Sequence, residues 1–296
     1  MRRNNRGRIF FAAAMLALAA MQGCGGVSVK NNNEKYTPYT DNTVIGSTSF
    51  PLSTHYSIMA GGQTGLGTLV ADTMRWKTNA DFAVVNAGTV RWNPPDPAGD
   101  SIPAGLITKG DVAKFLPYDN LSGAAPATNP ATIVTLSLSG AVIKEMFENS
   151  FSRMLAVGTP GTSYGRFLQV SKQIQVFADV TQPVGSRITM IKIKDAASAS
   201  YDPATFGTMD TTDTARLYRV AVLKKYIKNA SGYQDFDKYW DILAQGTGVV
   251  DSNVYLYDAV LEAFSRFSPM NYGDSAASAN PALNPDPSLN LVITHQ

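Results

Sequence analysis

Arg91 closes the run Asn86-Ala87-Gly88-Thr89-Val90-Arg91, which follows the apolar stretch Phe82-Ala83-Val84-Val85. A guanidinium is a planar fork of donors matched to phosphate oxygens, so an arginine after a glycine-containing turn can hold an anion. Gly88 has no Cβ and lets the backbone approach a ligand closely. The plainer alternative is a solvated loop arginine ahead of Trp92. A second glycine-rich run, Gly61-Gly62-Gln63-Thr64-Gly65-Leu66-Gly67, precedes a helical pattern and could offer amides to an anion. It lacks the strand before and the Lys-Ser/Thr after that mark a true phosphate loop. Dimetal hydrolysis needs a cluster of His, Asp and Asn ligands around two ions about 3.5–4 Å apart. The chain holds two histidines, His55 and His295, and one cysteine, Cys24. No His-Glu-x-x-His, Gly-x-Ser-x-Gly or Cys/His pairing occurs. The residues therefore supply no catalytic constellation, no metal site and no cofactor motif.

Composition narrows the class. With 44% hydrophobic and 16% charged residues the chain can build an apolar core. A formal charge of +2 leaves no electrostatic footprint for nucleic acid, since Arg2, Arg3, Arg6 and Arg8 sit together at the N-terminus. Those arginines precede an apolar run over residues 9–21, shorter than the roughly 20 residues of a bilayer span. Basic residues before it and small ones after it read as a signal peptide over 1–23. Met21-Gln22-Gly23-Cys24 resembles a bacterial lipobox, in which the cysteine is acylated and becomes the new N-terminus. A sole cysteine also excludes a disulfide framework. The expectation is an exported lipoprotein, held through Cys24 at a periplasmic face or cell surface. In a Gram-negative host, Gly25 in place of an Asp after the cysteine favours the outer membrane. An ordinary signal peptide with an incidental Cys24 is the alternative. Residues 24–45, with Asn31-Asn32-Asn33, read as a flexible tether. Residues 46–273 read as the folded domain. Residues 274–296, with Asn284-Pro285-Asp286-Pro287, read as a loop-rich tail.

The elements that must carry Asn86, Gly88 and Arg91 follow from periodicity. Residues 67–76 put Leu69, Val70 and Met74 on one helical face, and 81–86 form a buried strand entering a turn. Residues 132–138 alternate as a strand. Ser139-Gly140 then opens a helix with Val142, Ile143, Met146, Phe147 and Phe151 on its apolar side. Residues 168–177, 187–193 and 218–223 read as further strands, and 254–267 as a late amphipathic helix. Helices and strands interleave without the strict rhythm of a doubly wound sheet. The fold class is a single α/β domain with mixed α+β layers.

The wording of these segments carries more than their pattern. Gly65-Leu66-Gly67-Thr68-Leu69-Val70-Ala71-Asp72-Thr73-Met74 opens the first helix, and the strand runs into Asn86-Ala87-Gly88-Thr89-Val90-Arg91. Gly105-x-Ile107-Thr108-x-Gly110-Asp111-Val112 and Phe115-Leu116-Pro117-Tyr118-Asp119-Asn120 come next. Leu136-x-Leu138-x-Gly140-x-x-Ile143-Lys144, Gly165-Arg166-Phe167-Leu168-Gln169-Val170-Ser171, Tyr201-Asp202-Pro203 and Tyr218-Arg219-Val220-Ala221 complete the series. In this order they resemble the C-terminal, substrate-binding domain of the 5′-nucleotidase family, over about residues 61–269. The resemblance implies that domain's fold and a role in cradling a nucleoside. In the family the phosphate is placed against a dimetal centre on a separate N-terminal domain. By the same resemblance Asn86 and Arg91 reach toward phosphate and sugar, and Tyr118 stands where the family stacks a Phe on the base. A tyrosine can stack as well, for about 1–3 kcal/mol, or it can be a half-buried core aromatic beside Pro117.

This chain also departs from the family pattern. After the Tyr218 strand the family has Asn-Phe-x-x-x-Gly-Gly-Asp-Gly-Tyr/Phe. Here Lys225 takes the Phe position and Ser231 the Asp position. Tyr226, one residue on, can supply the second stacking face if the loop shifts. Ser231 can bond a hydroxyl without a carboxylate's charge. Thr89 replaces the second glycine of the signature loop, Thr68 replaces an Asn, and residues 59–64 hold no basic side chain. The implied substrate-binding set is Asn86, Gly88, Arg91, Tyr118, Tyr226 and Ser231. The first functional expectation is an exported nucleotide- or nucleoside-binding lipoprotein associated with nucleotide catabolism, working with a metallophosphoesterase on a separate chain. The alternative is a surface structural or interaction lipoprotein that keeps the fold and has lost the ligand. A stand-alone hydrolase with another mechanism stands last.

Overall fold

The computed structural model describes residues 41–54, 59, 61–90, 101–116, 132–154, 164–195, 202–227, 239–272 and 291–294. The first half of the domain is built from β1 (Val44–Thr48), β2 (Leu52–Ser53), α1 (Gly65–Thr78), β3 (Phe82–Asn86), β4 (Ser101–Ile102), β5 (Gly105–Thr108) and α2 (Lys109–Phe115). β6 (Thr132–Ser139), α3 (Gly140–Phe151), β7 (Leu168–Val170), β8 (Ile174–Asp179), β9 (Ile188–Ile193) and β10 (Gly207–Thr208) follow. The chain continues with β11 (Leu217–Leu223), α4 (Tyr239–Leu243), β12 (Thr247–Tyr255), α5 (Leu256–Phe267) and β13 (Leu291–Thr294). All of these fall in one compact unit, Pro38–Gln296.

Local chemistry sets the helix starts. Thr64 Oγ1 accepts from Gly67 N at 3.0 Å and caps α1. Asn79, at φ 50°, ends α1 in the left-handed region that asparagine tolerates and donates its N–H to Arg75 O. Ser139 caps α3 by accepting from Val142 N. α2 begins with a capping box, in which Thr108 Oγ1 accepts from Asp111 N and Asp111 answers Thr108 N at 3.0 Å.

Five strands form the central sheet in the order β12-β6-β11-β3-β7. Only β11 and β3 are parallel, with Val220 opposite Phe82 and Ala221 opposite Ala83. β6 pairs antiparallel with β11 along its full length, from Ser139↔Leu217 to Ile133↔Leu223. α1 lies on this sheet against β3, β7 and β11 and also meets α5. That position buries Leu66, Leu69, Val70 and Met74 with Phe82 and Val85 of β3. A second sheet has the order β10-β9-β8-β13, and α3 contacts both β6 and β9 between the two sheets. Here Glu148 is buried and accepts from Arg187 N at 3.0 Å and Ile188 N at 2.7 Å. Two ribbons, β1-β5 and β2-β4, complete the described sheets.

The eight segments read as elements are present, two of them with altered bounds; β1, β2, β4, β5, α2, β10, α4 and β12 were not among them, and the tail differs as well. The stretch 168–177 is two strands, because the chain turns at Lys172 and Gln173 and β8 leaves β7 for the second sheet. Val254 and Tyr255 are the end of β12, so the late helix starts at Leu256. The tail read as loop-rich ends in β13, where the β-branched run Val292-Ile293-Thr294 pairs parallel with Phe177, Ala178 and Asp179.

Candidate functional site

β3 and β11 run parallel, so their carboxyl ends meet at one edge of the central sheet, the place where ligands bind in open sheets with parallel strands. Asn86 is the last residue of β3. Tyr226 lies in the short 3₁₀ turn Lys224–Tyr226 directly after β11. The edge therefore brings together two residues 140 positions apart in sequence.

Their polar atoms form one network. Asn86 Nδ2 donates to Gly165 O at 2.7 Å. Its Oδ1 accepts from both Tyr226 OH and Thr89 Oγ1. The two hydroxyls lie 3.2 Å apart. The Tyr226 ring meets Tyr239 edge-on at 6.0 Å between centroids, and Tyr239 OH donates to Arg166 O at 2.6 Å. The Lys225 ammonium lies 5.8 Å from the centre of the Tyr226 ring. Gly88 N donates to Gly165 O at 3.0 Å. A Cβ on Gly88 would sit 3.0 Å from Asn86 Nδ2 and 3.1 Å from Gly165 Cα. The missing side chain thus makes room for the backbone of Gly165.

Of the six residues read from sequence as a binding set, the structure gathers Asn86, Gly88 and Tyr226. Arg91, Tyr118 and Ser231 lie outside the described residues, as do Cys24, His55 and His295. Thr89, Gly165 and Tyr239 join the cluster without having been singled out for it. Thr89 carried a signal, since it stands where the family keeps a glycine. Its hydroxyl and that of Tyr226 share the Asn86 acceptor, so the two departures from the family wording act together. Among the described residues no three His, Cys, Asp or Glu side chains gather to hold a metal.

The glycine-rich run 61–67 is occupied internally. Gln169 Oε1 accepts from Thr64 N at 2.9 Å, and its Nε2 donates to Met59 O at 2.7 Å and Gly62 O at 2.6 Å. A Cβ on Gly67 would land 2.0 Å from Gln169 Oε1. Gln63 donates to Thr68 Oγ1 and Val170 O, so Thr68 is a buried structural contact. The amides of Thr64 and Gly67 at the start of α1 serve β7 and the cap instead of an anion.

Comparison with known proteins agrees with this geometry. Residues 44–238 match the family described as 5′-nucleotidase, C-terminal domain. A 5′-nucleotidase of Vibrio vulnificus (strain CMCP6) is 36% identical over 80 residues, which is 27% of this chain and 13% of that protein. The crystal structure of a 5′-nucleotidase precursor from Thermus thermophilus superposes with a TM-score of 0.62 at 22% identity. That likeness covers 96% of this chain and 42% of the Thermus chain. The NAD nucleotidase of Haemophilus influenzae has a TM-score of 0.54 at 16% identity, covering 86% of this chain and 39% of its own. The chain thus spans well under half the length of these relatives, and the structural likenesses speak for the fold. With the family pattern running through β3, β7 and β11, the strands that assemble the Asn86 edge, the chain belongs to the 5′-nucleotidase C-terminal domain family.

Proposed function

We propose that this chain is an exported, lipid-anchored member of the family that binds a nucleotide or nucleoside at the carboxyl edge of β3 and β11. The observation that carries the reading is the convergence of Asn86, Thr89 and Tyr226 at the edge where the two parallel strands end. There the Tyr226 ring offers a stacking face for a base. The amide and two hydroxyls offer donors and acceptors for a sugar. Arg91, five residues beyond Asn86, is the candidate partner for a phosphate. Hydrolysis in this reading belongs to a metallophosphoesterase on a separate chain, and the anchor is a lipid on Cys24.

Calorimetry with AMP and adenosine tests the proposal. Both should bind, with AMP the tighter, and Arg91→Ala should bring AMP down to the level of adenosine. Absence of heat up to millimolar ligand would sink the reading. Phosphate release from AMP by the purified chain, lost on chelation, would overturn the assignment of hydrolysis to another chain. Palmitate labelling in a bacterial host, lost in Cys24→Ser, tests the anchor.

One observation favours the alternative of a fold kept as a structural or interaction module. Asn86 already spends one of its two amide hydrogens and its carbonyl oxygen within the protein. In that case the same titration is silent for every nucleoside while the Asn86 network still contributes to stability.

A further inference from the structure

A cavity of about 570 Å³ lies at the other end of α1, and none of the Asn86 network lines it. α1 leads through Asn79 into the start of β3, so its C-terminal residues lie opposite the edge that holds Asn86. The walls are mainly apolar, with Leu69 and Trp76 of α1 facing Ala263 and Phe267 of α5 and with Met270 beyond them. Trp76 and Phe267 meet edge-to-face at 5.0 Å and 84°. Phe267 is 47% exposed, an apolar ring left at the rim. The size and lining match those of small-molecule sites, in which a few polar groups fix orientation within an apolar wall.

The polar groups are unevenly matched. Asp72 is buried, and burial pushes its carboxyl above the ordinary value, although Lys172, Tyr272 and Arg75 pull against that. It accepts from Lys172 N at 2.9 Å and Tyr272 OH at 2.8 Å, with the Lys172 ammonium at 4.0 Å. Asp72 is thus answered without Arg75. Arg75 lines the cavity, and its guanidinium spends Nε on Ala80 O at 3.1 Å. No described residue accepts from its two terminal nitrogens. At the rim, Arg266 lies 5.6 Å from the Trp76 ring centre and 5.7 Å from that of Phe267. Lys77 is paired with Glu262. Arg75 and Lys172 line the cavity with Asp72, and Lys77 and Arg266 lie against the Trp76 ring.

We propose that this cavity is a second ligand site, selective for a small carboxylate with an aromatic body. The carboxylate meets the open fork of Arg75, which presents paired N–H donors in the geometry a carboxylate accepts. The ring packs against the Trp76–Phe267 pair, where apolar contact and edge-to-face packing favour it. A ligand without the charge forfeits the Arg75 contact, and one without the ring leaves the aromatic wall open to water. The site is independent of nucleotide binding at the Asn86 edge.

Titration of the full chain with 3-phenylpropionate and with its uncharged isostere 3-phenylpropanamide tests the proposal. The acid should bind at least about tenfold more tightly than the amide, the factor expected when a charge-assisted bond is lost. Arg75→Gln should remove that preference, and Phe267→Ala should weaken both ligands. Saturating AMP should leave the affinity for the acid unchanged. Equal binding of acid and amide would overturn the proposal, as would failure of either to bind up to about ten millimolar. Competition by AMP, or an undiminished preference in folded Arg75→Gln, would place the anion elsewhere and overturn it as well. Should Arg75→Gln fail to fold, the ratio measured on the unaltered chain and the Phe267→Ala result still decide.

Discussion

Tyr226 and Thr89 act through one oxygen, the Oδ1 of Asn86, and the three cannot be judged singly. Tyr226→Phe keeps the ring against Tyr239 and removes the hydroxyl. It should cost about 0.5–1.5 kcal/mol in urea unfolding. If a nucleoside stacks on that ring, Tyr226→Phe retains most of its affinity and Tyr226→Ala loses about 1–3 kcal/mol of it. The two substitutions therefore separate the role of the ring from that of the hydroxyl. Gly88→Ala acts on space alone. Its methyl would press on the Gly165 backbone, which has little freedom to retreat, so a loss of about 1–3 kcal/mol in the same unfolding measurement is expected. That Asn86 heads a loop was readable from the strand before it. That its amide oxygen is also held by Tyr226 was not, because no local pattern links positions 140 residues apart.

At the scale of elements, caps and alternation were the legible features. Ser139 before an apolar helical face marks the start of α3, whereas the capping box of Thr108 and Asp111 went unread and α2 with it. Thr64→Ala should destabilise the fold by about 1 kcal/mol through the lost cap at Gly67 N, read as a lower urea midpoint at unchanged slope. Replacement by serine should restore most of it. The break between β7 and β8 was illegible because both strands are apolar and alternate in the same phase. Which sheet each one joins is decided by partners far along the chain, Val84 for β7 and Ile191 for β8. β13 escaped notice for the same reason. Four residues pair only because β8 presents an open side, and the Asn-Pro-rich run before them reads as a loop.

Across the whole molecule, the described carboxylates tie stability to pH with both signs. Partial burial pushes Asp111 upward, but bonds from Lys114 and Thr108 outweigh it and hold its carboxyl below the ordinary value. At Asp251 burial is likewise outweighed, by Lys224 and the Asn253 amide. Bonds from Thr181 and Gln182 lower Asp179, and bonds from Thr212 lower Asp210. Each of these groups takes up a proton more readily in the unfolded chain. Their stabilisation is present above the ordinary carboxylate pKa and is lost as pH falls through the folded value. Asp72 has the opposite sign, since its raised pKa favours the fold in acid and that contribution is lost as pH rises through the folded value. The fall of Tm between about pH 5 and about pH 3 should therefore be gentler in Asp111→Asn than in the unaltered chain, as scanning calorimetry would record. A further consequence comes from the order in which the strands find partners. β3 must wait for β11, β6 for β12, and Thr48 for its bridge to Met270. A growing chain with this connectivity cannot close its central sheet until its last third has been made, and its many distant pairings place it among slow folders. Until then β3 and β6 lack β11, the strand that joins them.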